Sequence, residues 1–165
     1  MAGFLIRPVR ADDVHDLNEL RRQPSVLENN NCVPTEGLEE TRKMVEKYAS
    51  PNTHVLVAEV EGKMVGIAKL EVMHRRQAHV GNFGINVHDD YQGRGIGKAL
   101  IEAILDLADN YLNLRRVQLD VWATNERAIR LYERYGFVVE GRKRECVFIR
   151  GEYVDILTMG RLRRP

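Results

Sequence analysis

The chain has 165 residues, 44% hydrophobic and 30% charged, with 25 Lys and Arg against 24 Asp and Glu for a formal net charge of +1. This length suits one domain over residues 1–165, burying about 70% of the surface of the unfolded chain, and the composition excludes disordered and fibrous classes. With no bulk field of either sign, neither nucleic acid nor an anionic membrane is an expected partner.

Cys32 and Cys146 are too few for a disulfide framework and lack the paired spacing of a zinc site, so both read as reduced, structural thiols. The five histidines show no H-E-x-x-H spacing, and no metal is expected. No apolar run of leader length precedes Arg7 and Pro8, and no stretch approaches the ~20 apolar residues that span a bilayer. A cytoplasmic location is the expectation.

In chain order, Phe4 to Val9 predicts a short strand, and Ala11-Asp12-Asp13 opens a helix carrying Val14, Leu17 and Leu20 at helical spacing. Pro24 to Pro34 encloses a polar stretch expected to be irregular, before Leu38, Thr41, Met44, Val45 and Tyr48 resume a helical period. His54–Val60 and Met64–Met73, around Glu61-Gly62-Lys63, predict a hairpin. A strand follows from His79 to Val87, apolar at Phe83, Ile85 and Val87 and small or polar at Asn82, Gly84 and Asn86. Ile96, Leu100, Ile104, Leu107 and Tyr111 then mark a helix, and Arg116 to Trp122 a strand, so a parallel pair with a right-handed crossover is expected. A helix capped at Thr124 or Asn125 stops at Gly136, and two strands, 137–149 and 152–159, turn at Arg150-Gly151.

Gln92-Gly93-Arg94-Gly95-Ile96-Gly97-Lys98 joins a strand to a helix, and its three glycines clear the approach to backbone N–H groups at a helix N-terminus. Such a loop suits a pyrophosphate, with Arg94 and Lys98 adding charge. It is not a Walker loop, because Gln92 stands where the first glycine belongs and Ala99 where Ser or Thr belongs; its G-x-G-x-G spacing also departs from the dinucleotide fingerprint.

Gln92-x-x-Gly95-x-Gly97, followed by Asn125-x-x-Ala128-x-x-Leu131-Tyr132 and Tyr135-Gly136-Phe137, resembles the GNAT superfamily of acyl-CoA-dependent N-acetyltransferases over nearly the whole chain. The resemblance implies an α/β fold of α+β type: one mixed, mostly antiparallel six- to seven-stranded sheet with a central parallel βαβ pair and helices on both faces. It implies acetyl-CoA as co-substrate and no metal. The residues that match the cofactor motif are Gln92, Gly93, Arg94, Gly95, Ile96, Gly97 and Lys98 for the pyrophosphate, Ile85 and Val87 for backbone pairing with the pantetheine arm, and Asn125 and Ala128 on the second motif.

The implied reaction is direct attack of a primary amine on the thioester in a ternary complex, which needs alignment, oxyanion stabilisation and a proton for the thiolate. Two parallel strands splaying apart would make the cleft, and a backbone N–H near Ile85 to Val87 the oxyanion donor. Tyr132 matches the position whose phenol protonates the sulfur. Relatives often carry a carboxylate on the strand before the loop; here that strand has Asn82 and Asn86, so Glu71 is the first substitute base and His79 the second. Asn30, Asn31 and Asn82 are candidate substrate ligands. The sequence is most similar to the branch of bacterial L-amino-acid N-acetyltransferases, with spermidine acetyltransferases similar in the same stretches. A free amino acid is the expected acceptor. A polyamine, or a protein or peptide amine, differs only in the pocket; a CoA-binding sensor or interaction module would keep the cradle without the chemistry. Exposed strand edges are consistent with a homodimer.

Overall fold

The computed structural model describes residues 3–164; Met1 and Ala2, which enter the leader reading, and Pro165 lie outside the described residues. Among these, seven strands and five α-helices follow in the order β1 (Leu5–Pro8), α1 (Val14–Arg21), α2 (Pro24–Asn29), α3 (Leu38–Lys47), β2 (Thr53–Val60), β3 (Lys63–Val72), β4 (Val80–Val87), α4 (Ile96–Asp106), β5 (Arg116–Trp122), α5 (Glu126–Arg134), β6 (Val138–Ile149) and β7 (Glu152–Leu162). The sheet order is β1-β2-β3-β4-β5-β7-β6. The β4–β5 ladder is parallel, while β1–β2, β2–β3, β5–β7 and β6–β7 are antiparallel, which is the mixed sheet with a parallel pair expected from the sequence.

The chain gathers into two compact units, one of residues up to Glu71 with Gly84–Leu107, the other of Val72–Phe83 with residues from Ala108 on. In the first, α1 and α3 cover β2 and β3 through a core of Leu17, Leu20, Val26, Val55, Val57, Met64 and Ile67. Arg7 is buried there with Asp13, donating two hydrogen bonds of 2.9 and 2.7 Å to its carboxylate. Burial by itself pushes the Asp13 carboxyl up, but the Arg7 guanidinium and the Arg10 N–H outweigh it and hold the group below its usual range.

The other face of β3 receives α4. Ile96, Leu100, Ile101 and Ile104 are fully buried, and close approach is possible because position 66 is glycine: a Cβ there would lie 3.0 Å from both Ile96 Cγ2 and Leu100 Cδ1. In the second unit Val117, Leu119 and Val121 of β5 are buried together with Leu157 and Met159 of β7.

Three local differences from the sequence-based expectation have physical causes. Of the polar stretch Glu28–Cys32, residues 30–32 are irregular as expected, but Glu28 and Asn29 belong to the helix Pro24–Asn29, where Pro24 at the first turn presets φ and Val26 is buried. The long helix changes at Leu107 into a five-residue π turn, whose wider spacing shifts the phase and leaves Tyr111, expected on the apolar stripe, 77% exposed. Cys146, expected as a structural thiol, is exposed because β6 is the edge strand of the sheet and most of its residues face solvent. Both hairpins use two-residue turns with positive φ, Glu61-Gly62 and Arg150-Gly151, as the right-handed strand twist requires.

Gly66→Val is expected to destabilise the protein by about 1–3 kcal/mol, because β-branched atoms must displace Ile96 and Leu100 from a filled contact; a lower denaturation midpoint in urea with an unchanged slope is the readout.

Candidate functional site

In the first unit the polar segment after β4 folds into a 3₁₀ turn, Asp89–Tyr91, and leads into the glycine loop. Gly93 and Gly95 have φ of 75° and 83°, left-handed values that favour glycine, and a Cβ at either position would meet no protein atom within 4 Å. The space before this backbone is therefore open. Gly95 is the N-cap of α4 and has no side chain to cap it, so the N–H groups of Ile96, Gly97 and Lys98 lack intrahelical partners. Donors of this kind, backed by an 11-residue helix dipole, fit a pyrophosphate.

The side chains of the loop divide by role. Ile96 is buried under α4, so only its backbone is available to a ligand. Arg94 lies 4.9 Å over the Tyr91 ring, and its Nη2 donates to Asp90 O at 3.1 Å. Lys98 is exposed, 3.9 Å from Glu102. Gln92 points back into the protein, donating to Ser25 Oγ at 3.2 Å and to Val87 O at 3.4 Å. Ile85 and Val87 are half-buried on the strand that precedes the turn.

In the second unit Asn125 caps α5, its Oδ1 accepting from Ala128 N–H at 3.3 Å. Two turns beyond the cap, Tyr132 is 6% exposed, edge-on to Phe83 with centroids 6.1 Å apart and tilted against Phe137 at 5.9 Å. Burial pushes its hydroxyl well above the ordinary tyrosine range. The phenol therefore keeps its proton near neutral pH and is equipped to donate, not to act as a base. Phe83 directly follows the last β4–β5 pair, Asn82–Gln118.

Of the predicted substrate ligands, Asn30 donates to Asn86 Oδ1 at 2.8 Å, so its amide ties the end of α2 to β4. Asn31 is exposed. Asn82 accepts from Gln118 Nε2 at 2.8 Å and faces the Met73 sulfur at 3.1 Å. Glu71 is exposed at the end of β3 with Lys69 Nζ at 3.4 Å, and it lines an open cavity of about 840 Å³ between α3 and the β2–β3 ends. The lining carries four cations, Arg21, Lys43, Lys47 and Lys69, against Glu36, Glu40, Glu46 and Glu71. Three of the acids are engaged: Glu36 by Arg21, Glu40 by Gly37 N–H at 2.9 Å, and Glu71 by Lys69. Lys43 and Lys47 form no salt bridge among the described residues.

Ser25, Asp89 and His88 escaped the sequence reading. Ser25 N–H and Oγ both donate to the Asp89 carboxylate, linking the start of α2 to the turn before the loop. The available signal was local: a polar His-Asp-Asp run at the end of an apolar strand is a cap in search of a turn. Among the described residues no group of three or more His, Cys, Asp or Glu is placed to hold a metal ion, and no helix is long and apolar enough to cross a membrane.

A model of the acetyltransferase (GNAT) family matches residues 15–137. The chain is 33% identical over 165 residues to the L-amino acid N-acetyltransferase AaaT of Escherichia coli K12, covering 99% of this chain and 100% of that protein. It is 28% identical over 159 residues to a spermidine N(1)-acetyltransferase of Vibrio cholerae, covering 93% and 90%. A solved structure of spermidine N-acetyltransferase from Vibrio cholerae, in complex with CoA and spermine, superposes with a TM-score of 0.86 at 27% identity, covering 98% of this chain and 96% of that one.

The raised Tyr132 hydroxyl has a signed consequence for stability. A folded-state value above the unfolded one, about 10, means the contribution is complete below pH ~10 and is lost as pH rises beyond it. Urea unfolding from pH 8 to 11 is expected to show an alkaline loss of stability that is shallower in Tyr132→Phe than in the unaltered protein.

Proposed function

We infer the reaction from the premise that the chain belongs to the acetyltransferase (GNAT) family: it transfers the acetyl group of acetyl-CoA to a primary amine of a small molecule, and the acceptor is a free amino acid. The observation that carries the transfer is the open, left-handed glycine backbone at the uncapped start of α4. What supports an amino acid over a polyamine is the match along the whole chain to an amino-acid acetyltransferase, together with the balanced charge around Glu71. A polycation requires an excess of acid, whereas engaged carboxylates and the unbridged Lys43 and Lys47 suit an acceptor that brings its own carboxylate.

When bound, acetyl-CoA supplies an activated acyl carbon, so that the N–C bond forms as the C–S bond breaks. Backbone N–H groups from Gly93 to Lys98 bind the pyrophosphate, with Arg94 and Lys98 as flanking charges. The edge of β4 at Ile85 and Val87 pairs with the pantetheine arm, and Asn125 and Ala128 at the start of α5 complete the cofactor contacts. Glu71 removes one proton from the acceptor ammonium, directly or through water, and the freed amine attacks; Tyr132 gives its own proton to the departing sulfur and is restored by the second proton, which leaves the nitrogen as the amide forms. Asn30 and Asn82 shape the acceptor wall through the hydrogen bonds they already make, and Asn31 is free to bind it directly. The same reading takes residues 1–165 as one catalytic domain acting as a homodimer in the cytoplasm, where Cys32 and Cys146 remain free thiols.

The test is acetyl-CoA consumption over amino acids, polyamines and peptides. Turnover with one or more amino acids and none with spermidine is expected; the reverse would overturn the acceptor class, and no turnover with any amine the transfer itself. Tyr132→Phe is expected to lower kcat by about 10²-fold with acetyl-CoA binding retained, and unchanged turnover would remove Tyr132 from its role.

A further inference from the structure

The leading end of the glycine loop is held by a histidine that serves neither as ligand nor as base in the reaction above. His88 closes β4 and is 3% exposed, a polar ring within the core of the first unit. Its main chain continues the sheet, N–H donating to Val65 O at 2.8 Å, while its carbonyl accepts from Tyr91 N–H at 2.9 Å and so starts the 3₁₀ turn. Its ring then acts on both sides. Asp90 N–H donates to Nδ1 at 3.2 Å, and Nε2 lies 3.0 Å from Glu19 Oε1 on α1.

These two contacts fix the tautomer. Because Nδ1 accepts from a backbone N–H it carries no proton, so the proton of the neutral imidazole is on Nε2 and is donated to Glu19. Glu19 is held ionised for that purpose: Lys63 Nζ at 2.6 Å, and then His88 itself, keep its carboxyl below the ordinary range. The ring is also edge-on to Tyr91 with centroids 5.4 Å apart, and Arg94 of the loop rests on the other partner of that contact, 4.9 Å from the Tyr91 centroid. A continuous set of contacts thus runs from α1 through Glu19 and His88 to the turn and to Arg94.

The two ends of the loop are secured differently. The trailing end is α4, packed against Gly66 of β3. The contacts shown at the leading end are polar and aromatic, through His88, Asp89 and Tyr91, and Gly93 and Gly95 make the segment between the two ends intrinsically loose. Only a fixed turn keeps the N–H groups convergent before a ligand arrives, and preorganisation of that sort sets affinity without any contact to the ligand.

We propose that His88 is a positioning residue for the donor-binding loop: its imidazole, bridging Asp90 N–H and the Glu19 carboxylate, sets the turn from which Gln92–Gly97 presents its backbone to the pyrophosphate of acetyl-CoA. This rests on the acetyl-CoA reading of the loop. The bridge can be divided chemically, since the Asn side-chain oxygen lies near the place of Nδ1 and can accept from Asp90 N–H, whereas the Gln side-chain nitrogen lies near the place of Nε2 and can donate to Glu19 but leaves the turn uncapped.

The experiment is calorimetric titration of the unaltered protein, His88→Asn, His88→Gln and His88→Ala with CoA, alongside KM for acetyl-CoA and for the amine acceptor. His88→Ala and His88→Gln are expected to weaken CoA binding roughly tenfold, and His88→Asn to restore most of it, with the amine KM at saturating acetyl-CoA unmoved. Equal losses in the Asn and Gln variants, CoA binding unaffected in all three, or a parallel rise of both KM values would overturn the assignment. If the alanine variant does not fold, the Asn and Gln pair carries the comparison. Failure of the unaltered protein to bind CoA would instead overturn the acetyl-CoA reading on which the proposal stands.

Discussion

A backbone can grip an anion only where its N–H groups are neither consumed by the fold nor covered by side chains, and such a segment is by construction poorly held. That constraint governs the first unit. Gly93 and Gly95 open the backbone with left-handed φ values, and Gly95 leaves the first turn of α4 uncapped. What the loop gives up in internal bonding is supplied from outside: behind it, Ile96 and Leu100 seat α4 on the bare backbone of Gly66; ahead of it, His88, Asp89 and Ser25 tie the 3₁₀ turn to α1 and α2. The buried hydrophobic face of α4 and the polar brace at its approach are two solutions to one problem, namely holding rigid a stretch that must stay unsatisfied.

In the second unit it is a hydroxyl that is withdrawn from solvent. Removing a phenol from water holds it neutral. Tyr132 is enclosed by Phe83 and Phe137, so desolvation alone accounts for the direction of its shift. The position is reached because Asn125 fixes the start of α5 two helical turns earlier and Gly136, in a left-handed conformation, ends it at once and returns Phe137 to the core. The aromatic triad packs the unit, and the same burial keeps the Tyr132 hydroxyl protonated.

The polar side chains of β4 are committed within each unit: Asn86 accepts from Asn30 in the first, and Asn82 accepts from Gln118 in the second. Charges around Glu71 are balanced, with Glu36, Glu40 and Glu71 engaged by Arg21, the Gly37 N–H and Lys69, while Lys43 and Lys47 form no salt bridge among the described residues.

The order of the strands and of the four helices other than α2, the parallel pair, the glycine loop and the identity of Tyr132 as a proton donor candidate were legible in the residues, because each depends on local periodicity or on a spacing that a short stretch can carry: Ile96, Leu100 and Ile104 for the helix, Gly93 and Gly95 for the turn. The helicity of Pro24–Asn29, the π turn that exposes Tyr111, the partners of Asn30 and Asn82, and above all the bridge from Glu19 to His88 were decided only by tertiary contacts. Glu19 and His88 are 69 residues apart, and no local pattern marks two polar side chains for each other across that distance. Periodicity tells which face of an element is apolar; it is silent about which polar atoms will be brought within hydrogen-bond reach once those faces have packed.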